Sequence, residues 1–309
     1  MLRFTRMFKK LVVILGPTAS GKSELVIKLA KKFNGEIVSA DSRQVYKEMN
    51  IGTGKVTKKE MRGVPHYLLD VASPKRRFTV VQYRQLALRA INKIFKKKKL
   101  PLLCGGTGFY IQAVIDGILI PEVKPDWQLR KGLEKKTAEQ LFNQLKKLDP
   151  RRTRTIDKNN RRRLIRALEI VLKTKKPVPL LKRQPLPYPV LLIGIKKGNL
   201  KKLIQKRFFK WLKQGFIQEV IKLKKKGLSW DRIEEFGIHY RAAAQYLQKK
   251  INEQEFVENS LKELRDYTKR QITWFSAHGG SASGGKRDKR IHWVKNQKEA
   301  EKLVKEFLN

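Results

Sequence analysis

The chain of 309 residues has one cysteine, Cys104, and four histidines. A single cysteine excludes an internal disulfide and a cysteine-rich metal site, and the histidines have no ligand spacing. Cys104 lies in the apolar run LPLLC, where a buried, inert thiol is expected, and this sparing use of cysteine fits a reducing, cytoplasmic compartment. Acids are also scarce: 27 Asp+Glu stand against 72 Lys+Arg, a net charge of +45. That surplus exceeds what solubility requires. It points to a polyanionic partner, because Lys and Arg that neutralise phosphates release counterions from nucleic acid. No run approaches the roughly 18 apolar residues of a membrane span. The start, MLRFTRMFKKLVVILG, imitates a secretion signal, being basic and then apolar. Its apolar core LVVIL falls short of the ~7–15 residues of such signals and runs into a glycine loop, so it reads as a strand.

What is present is a chain long enough for about two domains, with 40% hydrophobic residues to fill a core. LVVIL (11–15) is a continuous apolar run of the kind buried on both faces of a parallel sheet. SELVIKLAKKF has helical periodicity. EIVSAD (36–41) is a second strand ending in Asp41, and residues 78–99 read as a helix with Thr79 at its N-cap. LPLLCGG (100–106) is a third strand, followed by a helix that ends at Gly117. Alternating strands and helices predict an α/β fold around a parallel sheet. The pattern then changes. After PEVKP (121–125), residues 127 to about 175 read as helices only, and a proline-rich stretch (176–189) precedes another buried-type strand, VLLIGI (190–195). Strands on both sides of the change predict a helical insertion, residues 121–186, in a discontinuous core of 1–120 and 187–309. Long helices follow. Residues 276–289, SAHGGSASGGKRDK, have the composition of a flexible linker.

The chemistry is concentrated in GPTASGKS (16–23), which matches the phosphate-cradling pattern G-x-x-x-x-G-K-[ST]. Gly16 and Gly21 let the backbone curl so that successive N–H groups face an anion. Thr18, Ala19 and Ser20 lie within the curl, Lys22 adds charge, and Ser23 opens a helix whose N-terminus favours anions and whose hydroxyl can ligate Mg²⁺. A strand before and a helix after supply the required context. The motif predicts a di- or triphosphate but does not say what is transferred. Asp41 could hold Mg²⁺ for phosphoryl transfer, act as a general base, or close a turn. Ser42, Arg43 and Gln44 beside it have side chains that hydrogen-bond base edges. Thr107, in CGGTGFY, could cap the next helix or orient a reacting amine. In a parallel sheet the loop 16–23, Asp41 and Thr107 share the carboxyl edge, where ligands bind. Basic stretches interleaved with aromatics, NNRRRLIRALE, HYRAAAQYL and YTKRQITWF, suit splayed single-stranded bases.

Taken as a set, GPTASGKS, SADSRQVYKEMNIGTGK, PHYLLDV, PLLCGGTGFYIQAVIDG, RRRLIRALEI, QKRFFKWLKQGFIQEV and KRQITWF resemble the tRNA dimethylallyltransferases, also called isopentenylpyrophosphate transferases. The resemblance spans about residues 10–275, with KRIHWV beyond, and several unrelated motifs occur in the family's order. It implies a P-loop NTPase-like core with an inserted all-helical domain. It also implies transfer of a dimethylallyl group from dimethylallyl diphosphate to N6 of adenine 37, in the anticodon stem-loop of tRNA. In that pattern residues 16–23 hold the diphosphate with Mg²⁺, Asp41 is the base on N6, Thr107 positions the adenine, and Arg207 binds diphosphate. Asp41, Ser42, Arg43, Gln44, Arg130, Arg162, Arg163, Arg166, Tyr240, Arg241, Lys269, Arg270, Gln271 and Trp274 match tRNA-contacting segments. A monomer is expected. Two departures stand out: FGIHYR places His239 where the family often has glycine before the Tyr-Arg pair, and SAHGGSASGG has no counterpart. The rival readings are a P-loop small-molecule kinase, a prenyltransferase acting on free AMP or ADP, and a non-enzymatic RNA-binding NTPase-like module. Charge and the helical insertion argue against the second, and the guanine-selecting [NT]-K-x-D is missing from its expected place.

Overall fold

A computed structural model describes residues 9–118, 121, 123–180, 183–276 and 288–309. Its centre is β1 (Leu11–Leu15), in which all five residues are buried. Successive side chains of a strand point to opposite faces, and here the two faces meet different layers. Leu11, Val13 and Leu15 pack into one hydrophobic cluster. Val12 and Ile14 pack into another. A strand with apolar side chains on both faces needs helices on both, which explains the uninterrupted apolar run.

Around β1 lie β2 (Gly35–Ser39), β3 (His66–Tyr67), β4 (Leu100–Gly105), β5 (Val190–Ile195) and β6 (Ile291–Val294). The order across the sheet is β3-β2-β4-β1-β5-β6, and every pairing is parallel. One face carries α1 (Lys22–Lys32) and the C-terminal helix; the other carries most of the remaining helices. The helices are, in chain order, α1, α2 (Lys58–Met61), α3 (Val80–Lys96), α4 (Gly108–Ile115), α5 (Trp127–Leu133), α6 (Ala138–Leu148), α7 (Pro150–Thr153), α8 (Arg161–Thr174), α9 (Leu200–Lys213), α10 (Phe216–Lys225), α11 (Trp230–Glu235), α12 (Ile238–Leu247), α13 (Glu253–Ser276) and α14 (Gln297–Leu308). The expected N-cap at Thr79 forms as a full capping box with Gln82, satisfying backbone donors that the first turn leaves open.

The second strand stops at Ser39, two residues short of the expected end, so Asp41 stands on the loop after β2. The region expected to be helical contains α5 to α8, and these helices bury their own cluster, including Leu133, Leu141, Leu145, Leu164 and Leu168. After β5, helices α9 and α10 are divided at Gly215, whose φ of 92° favours glycine and opens α10. The Gly/Ser-rich stretch lies, for residues 277–287, outside the described residues.

Candidate active site

Three loops leave the carboxyl ends of β1, β2 and β4, which are neighbours in the sheet. The first is the loop 16–21, with Ala19 and Gly21 in left-handed conformation at φ of 60° and 90°. These turns bring Ala19, Ser20, Gly21, Lys22 and Ser23 to the wall of a cavity of about 790 Å³, within the usual size of a small-molecule site. The opposite wall is basic and aromatic: Arg207, Lys210 and Trp211 of α9, with Arg62. Ser20 is 4% exposed and its Oγ has no hydrogen-bond partner among the described residues. That hydroxyl lies against Gly16 and is shut off from solvent.

Lys22 donates from Nζ to Pro17 O at 2.5 Å. Burial lowers its ammonium to about 8, with Arg207 acting in the same direction and Cys104 and Asp41 opposing. Arg207 is likewise pulled down by burial, and Asp41 and Glu60 act against that. Its guanidinium lies 4.9 Å from the Trp211 ring centroid. Two desolvated cations facing one cavity repel each other until an anion arrives between them.

The second and third loops meet at the turn 41–44. Asp41 Oδ1 accepts from Arg43 N at 2.8 Å and Gln44 N at 3.3 Å. Its Oδ2 takes no hydrogen bond from the described residues, and so stays available as a proton acceptor. Thr107 was open to two roles, helix cap or orienting group. Its hydroxyl makes no cap bond to α4; instead it accepts from Ser42 N at 3.0 Å. Tyr267 is pushed up to about 12, chiefly by burial and then by the Asp41 charge. Behind the turn Tyr83 stacks on Tyr110 with centroids 3.9 Å apart. Cys104 is buried, and its thiol is pushed up to about 12 by burial, as expected of an inert group.

Several expected contacts fall elsewhere. Thr18 does not turn its amide to the cavity: Thr18 N donates to Gln271 Oε1 at 2.8 Å. Gln271, expected to contact RNA, is 5% exposed and also donates to Gly106 O at 2.9 Å, so it braces two loops. Tyr240 is 2% exposed and donates to Glu219 at 2.7 Å, which makes it a core residue and not a surface one. His239 is buried beside it, 5.0 Å from Trp211 by ring centroids and lowered to about 3 by burial. Arg130 and Arg166 converge on the buried carboxylate of Glu169, with Arg130 Nη2 at 2.7 Å, so their charge is already engaged within the helical region. Gly16 is buried and outside the cavity wall. Arg162, Lys269 and Arg270 are exposed, Arg43, Arg163 and Trp274 are half-buried, and Arg241 pairs with Glu263 at 3.1 Å. Trp274 meets Phe109 edge-on, 6.2 Å between centroids, at the N-terminus of α4.

Sequence reasoning missed Tyr267, Glu219 and the brace formed by Gln271. For Gln271 the signal was present: the buried face of α13 runs through Leu264, Thr268, Gln271 and Phe275 at spacings of three and four, which identifies an inward-facing position.

A parallel sheet with the phosphate loop after its central strand, and a carboxylate on the neighbouring loop, defines the P-loop NTPase-like class of α/β proteins. The chain belongs to the IPP transferase family, whose model matches residues 44–278. It is 41% identical to the tRNA dimethylallyltransferase of Acetivibrio thermocellus over 85% of this chain and 88% of that one. With the enzyme of the same name from Carboxydothermus hydrogenoformans it shares 37% identity, covering 98% and 97% of the two chains. The tRNA isopentenylpyrophosphate transferase of Bacillus halodurans superposes with a TM-score of 0.71 at 33% identity, covering 97% of each chain. A eukaryotic dimethylallyltransferase acting on tRNA superposes with a TM-score of 0.76 at 26% identity, over 97% of this chain and 77% of that one.

Proposed function

We propose that this protein transfers a dimethylallyl group from dimethylallyl diphosphate to N6 of adenine 37 in the tRNA anticodon loop, releasing diphosphate. The observation that carries the reading is the placement of Asp41, with its Oδ2 open, beside Thr107 and within electrostatic reach of Lys22 and Arg207. A base for an amine and a seat for a departing anion then share one edge of the sheet. The match to relatives named for this reaction supports the same reading.

The N6 amine is a weak nucleophile because its lone pair is delocalised into the purine. As the new C–N bond forms, its proton passes to Asp41 Oδ2, a type of help worth roughly 10²–10⁴-fold. The bond from carbon to the bridging oxygen breaks, and negative charge grows on the diphosphate. Lys22, Arg207 and the amides of the loop stabilise that charge. Thr107, fixed through Ser42 N, holds the adenine edge. The adenine leaves the anticodon stack to reach this edge, as enzymes acting on stacked bases require.

Among the described residues no group of three His, Cys, Asp or Glu could hold a metal. The chain offers the Ser23 hydroxyl at the cavity wall, the phosphate-loop position that ligates Mg²⁺ shared with substrate phosphates. When bound there, Mg²⁺ supplies charge neutralisation to the leaving group. Lys269, Arg270, Arg162 and Arg43, with the Trp274–Phe109 pair, form the tRNA-facing surface in this reading.

The test is incubation with unmodified tRNA and labelled dimethylallyl diphosphate. Prenylated adenosine at position 37, falling by roughly 10²–10⁴-fold in Asp41→Ala with the fold retained, is expected. Turnover of ATP with no transfer to any adenine-37 tRNA would overturn the reading in favour of a kinase.

A further inference from the structure

The turn Asn50–Gly54 lies between the catalytic turn and the cavity, and six of its ten backbone polar groups are held by side chains from elsewhere. Asn50 N and Ile51 N each donate to Glu219 Oε2 at 2.7 Å, and Gly52 N donates to Glu219 Oε1 at 3.1 Å. Gly52 O takes a hydrogen bond from His239 Nε2 at 2.6 Å. A carbonyl only accepts, so the ring carries its proton on Nε2. Thr53 O and Gly54 O both accept from Gln44 Nε2 at 3.3 Å.

Glu219 is 8% exposed. Besides the three amides it accepts only the Tyr240 hydroxyl, at 2.7 Å, and no ion pair to it occurs among the described residues. A buried carboxylate without a cation is an expensive group for packing alone, because hydrophobic residues of the same volume serve as well or better. What it holds is specific. Gly54, at φ of 57°, packs so closely that a Cβ there would overlap the Arg207 guanidinium. Asn50, Ile51 and Gly54 line the same cavity as the phosphate loop. At its other side the turn is joined through Gln44 to the loop that Asp41 closes.

We infer that Glu219 is a positioning residue: it fixes the height of the turn 50–54, and through Gly54 it seats Arg207 against the diphosphate cavity. The inference rests on the functional reading above only for the identity of the anion. It assigns Glu219 no contact with substrate.

The test uses the full chain with Mg²⁺ and inorganic pyrophosphate, measured by titration calorimetry. Glu219→Gln replaces one acceptor oxygen by a donor facing an amide, and pyrophosphate affinity falls by roughly tenfold or more, the scale of a lost charge-assisted hydrogen bond. Tyr240→Phe removes one restraint on the carboxylate, and a smaller loss in the same direction is expected. Glu36→Gln is the control, another carboxylate buried at 1% exposure but paired with Lys97 and Lys99 on the opposite end of the strand. It lowers the melting temperature and leaves pyrophosphate affinity at the wild-type value. In steady state Glu219→Gln raises KM for dimethylallyl diphosphate while KM for tRNA holds. Glu219→Gln binding pyrophosphate within twofold of wild type, with only its melting temperature lowered, would reduce Glu219 to a structural staple. If that variant fails to fold, Tyr240→Phe and Gly54→Ala decide: both binding as wild type overturns the inference. The binding comparison settles positioning whether or not tRNA is modified, and absence of transfer by the wild type would overturn the functional reading alone.

Discussion

Lys22 carries a consequence for pH. Burial, with Arg207 adding to it, lowers its ammonium from the ordinary 10.5 to about 8. Between those values the unfolded chain holds a proton that the folded chain lacks, so this group's contribution to stability rises with pH across that window. A bound diphosphate favours the charged form and reverses the balance. Binding of dimethylallyl diphosphate without tRNA therefore takes up a proton above pH 8, and affinity declines from there by up to about tenfold per pH unit. Calorimetry in buffers of different ionisation enthalpy reads both effects, and an affinity flat from pH 7 to 10 would remove Lys22 from the site. At this scale the phosphate loop was legible because its evidence is local: eight consecutive residues, a strand and a helix. Asp41 was legible as a carboxylate at a strand end. Its closing of the turn through Oδ1, with Oδ2 left open, depends on the neighbouring loop and could not be read from order alone.

At the scale of elements, α13 does two jobs on two faces. Lys269 and Arg270 are exposed, while Gln271 turns inward to join the loop after β1 to the loop after β4. Gln271→Ala removes a donor and an acceptor together and strands Thr18 N and Gly106 O. A loss of about 1–3 kcal/mol is expected in denaturant melts, with weakened diphosphate binding because the phosphate loop loses its brace. Gln271→Glu keeps the acceptor and loses the donor, and an intermediate effect is expected. No change in either variant would show that the loops hold themselves. Strands β1 and β5 were plain in the sequence as apolar runs buried on both faces. The edge strands β3 and β6 were not, since two and four residues are too few to show a period. Tyr240 and Gln271 were read as RNA contacts because aromatics and amides beside cations look solvent-facing until the buried face of the helix is known.

For the whole molecule the net charge of +45 governs association with tRNA. Each phosphate neutralised on single-stranded RNA contributes a slope of about −0.7 to log K against log salt. Steep salt dependence is expected, and replacing Lys269 and Arg270 together by Ala should lower the slope by about 1.4 with little change in pyrophosphate binding. Filter binding from 50 to 300 mM salt, on the order of the range where such slopes are read, makes the check; a flat response would contradict the charge argument. Formal charge overstates the surface available, because Arg130 and Arg166 are already committed to Glu169.

The strand order has a consequence during synthesis. Central β1 pairs with β4 on one side and with β5 on the other, and β5 begins only at Val190. Once the first four strands have emerged from the ribosome, the far edge of β1 stays bare while the intervening helices are made. At roughly 5–20 residues per second that interval lasts on the order of ten seconds. An apolar, unpaired parallel edge is open to other nascent chains for that time. The helices α5 to α8, which bury a cluster of their own, emerge in the same interval.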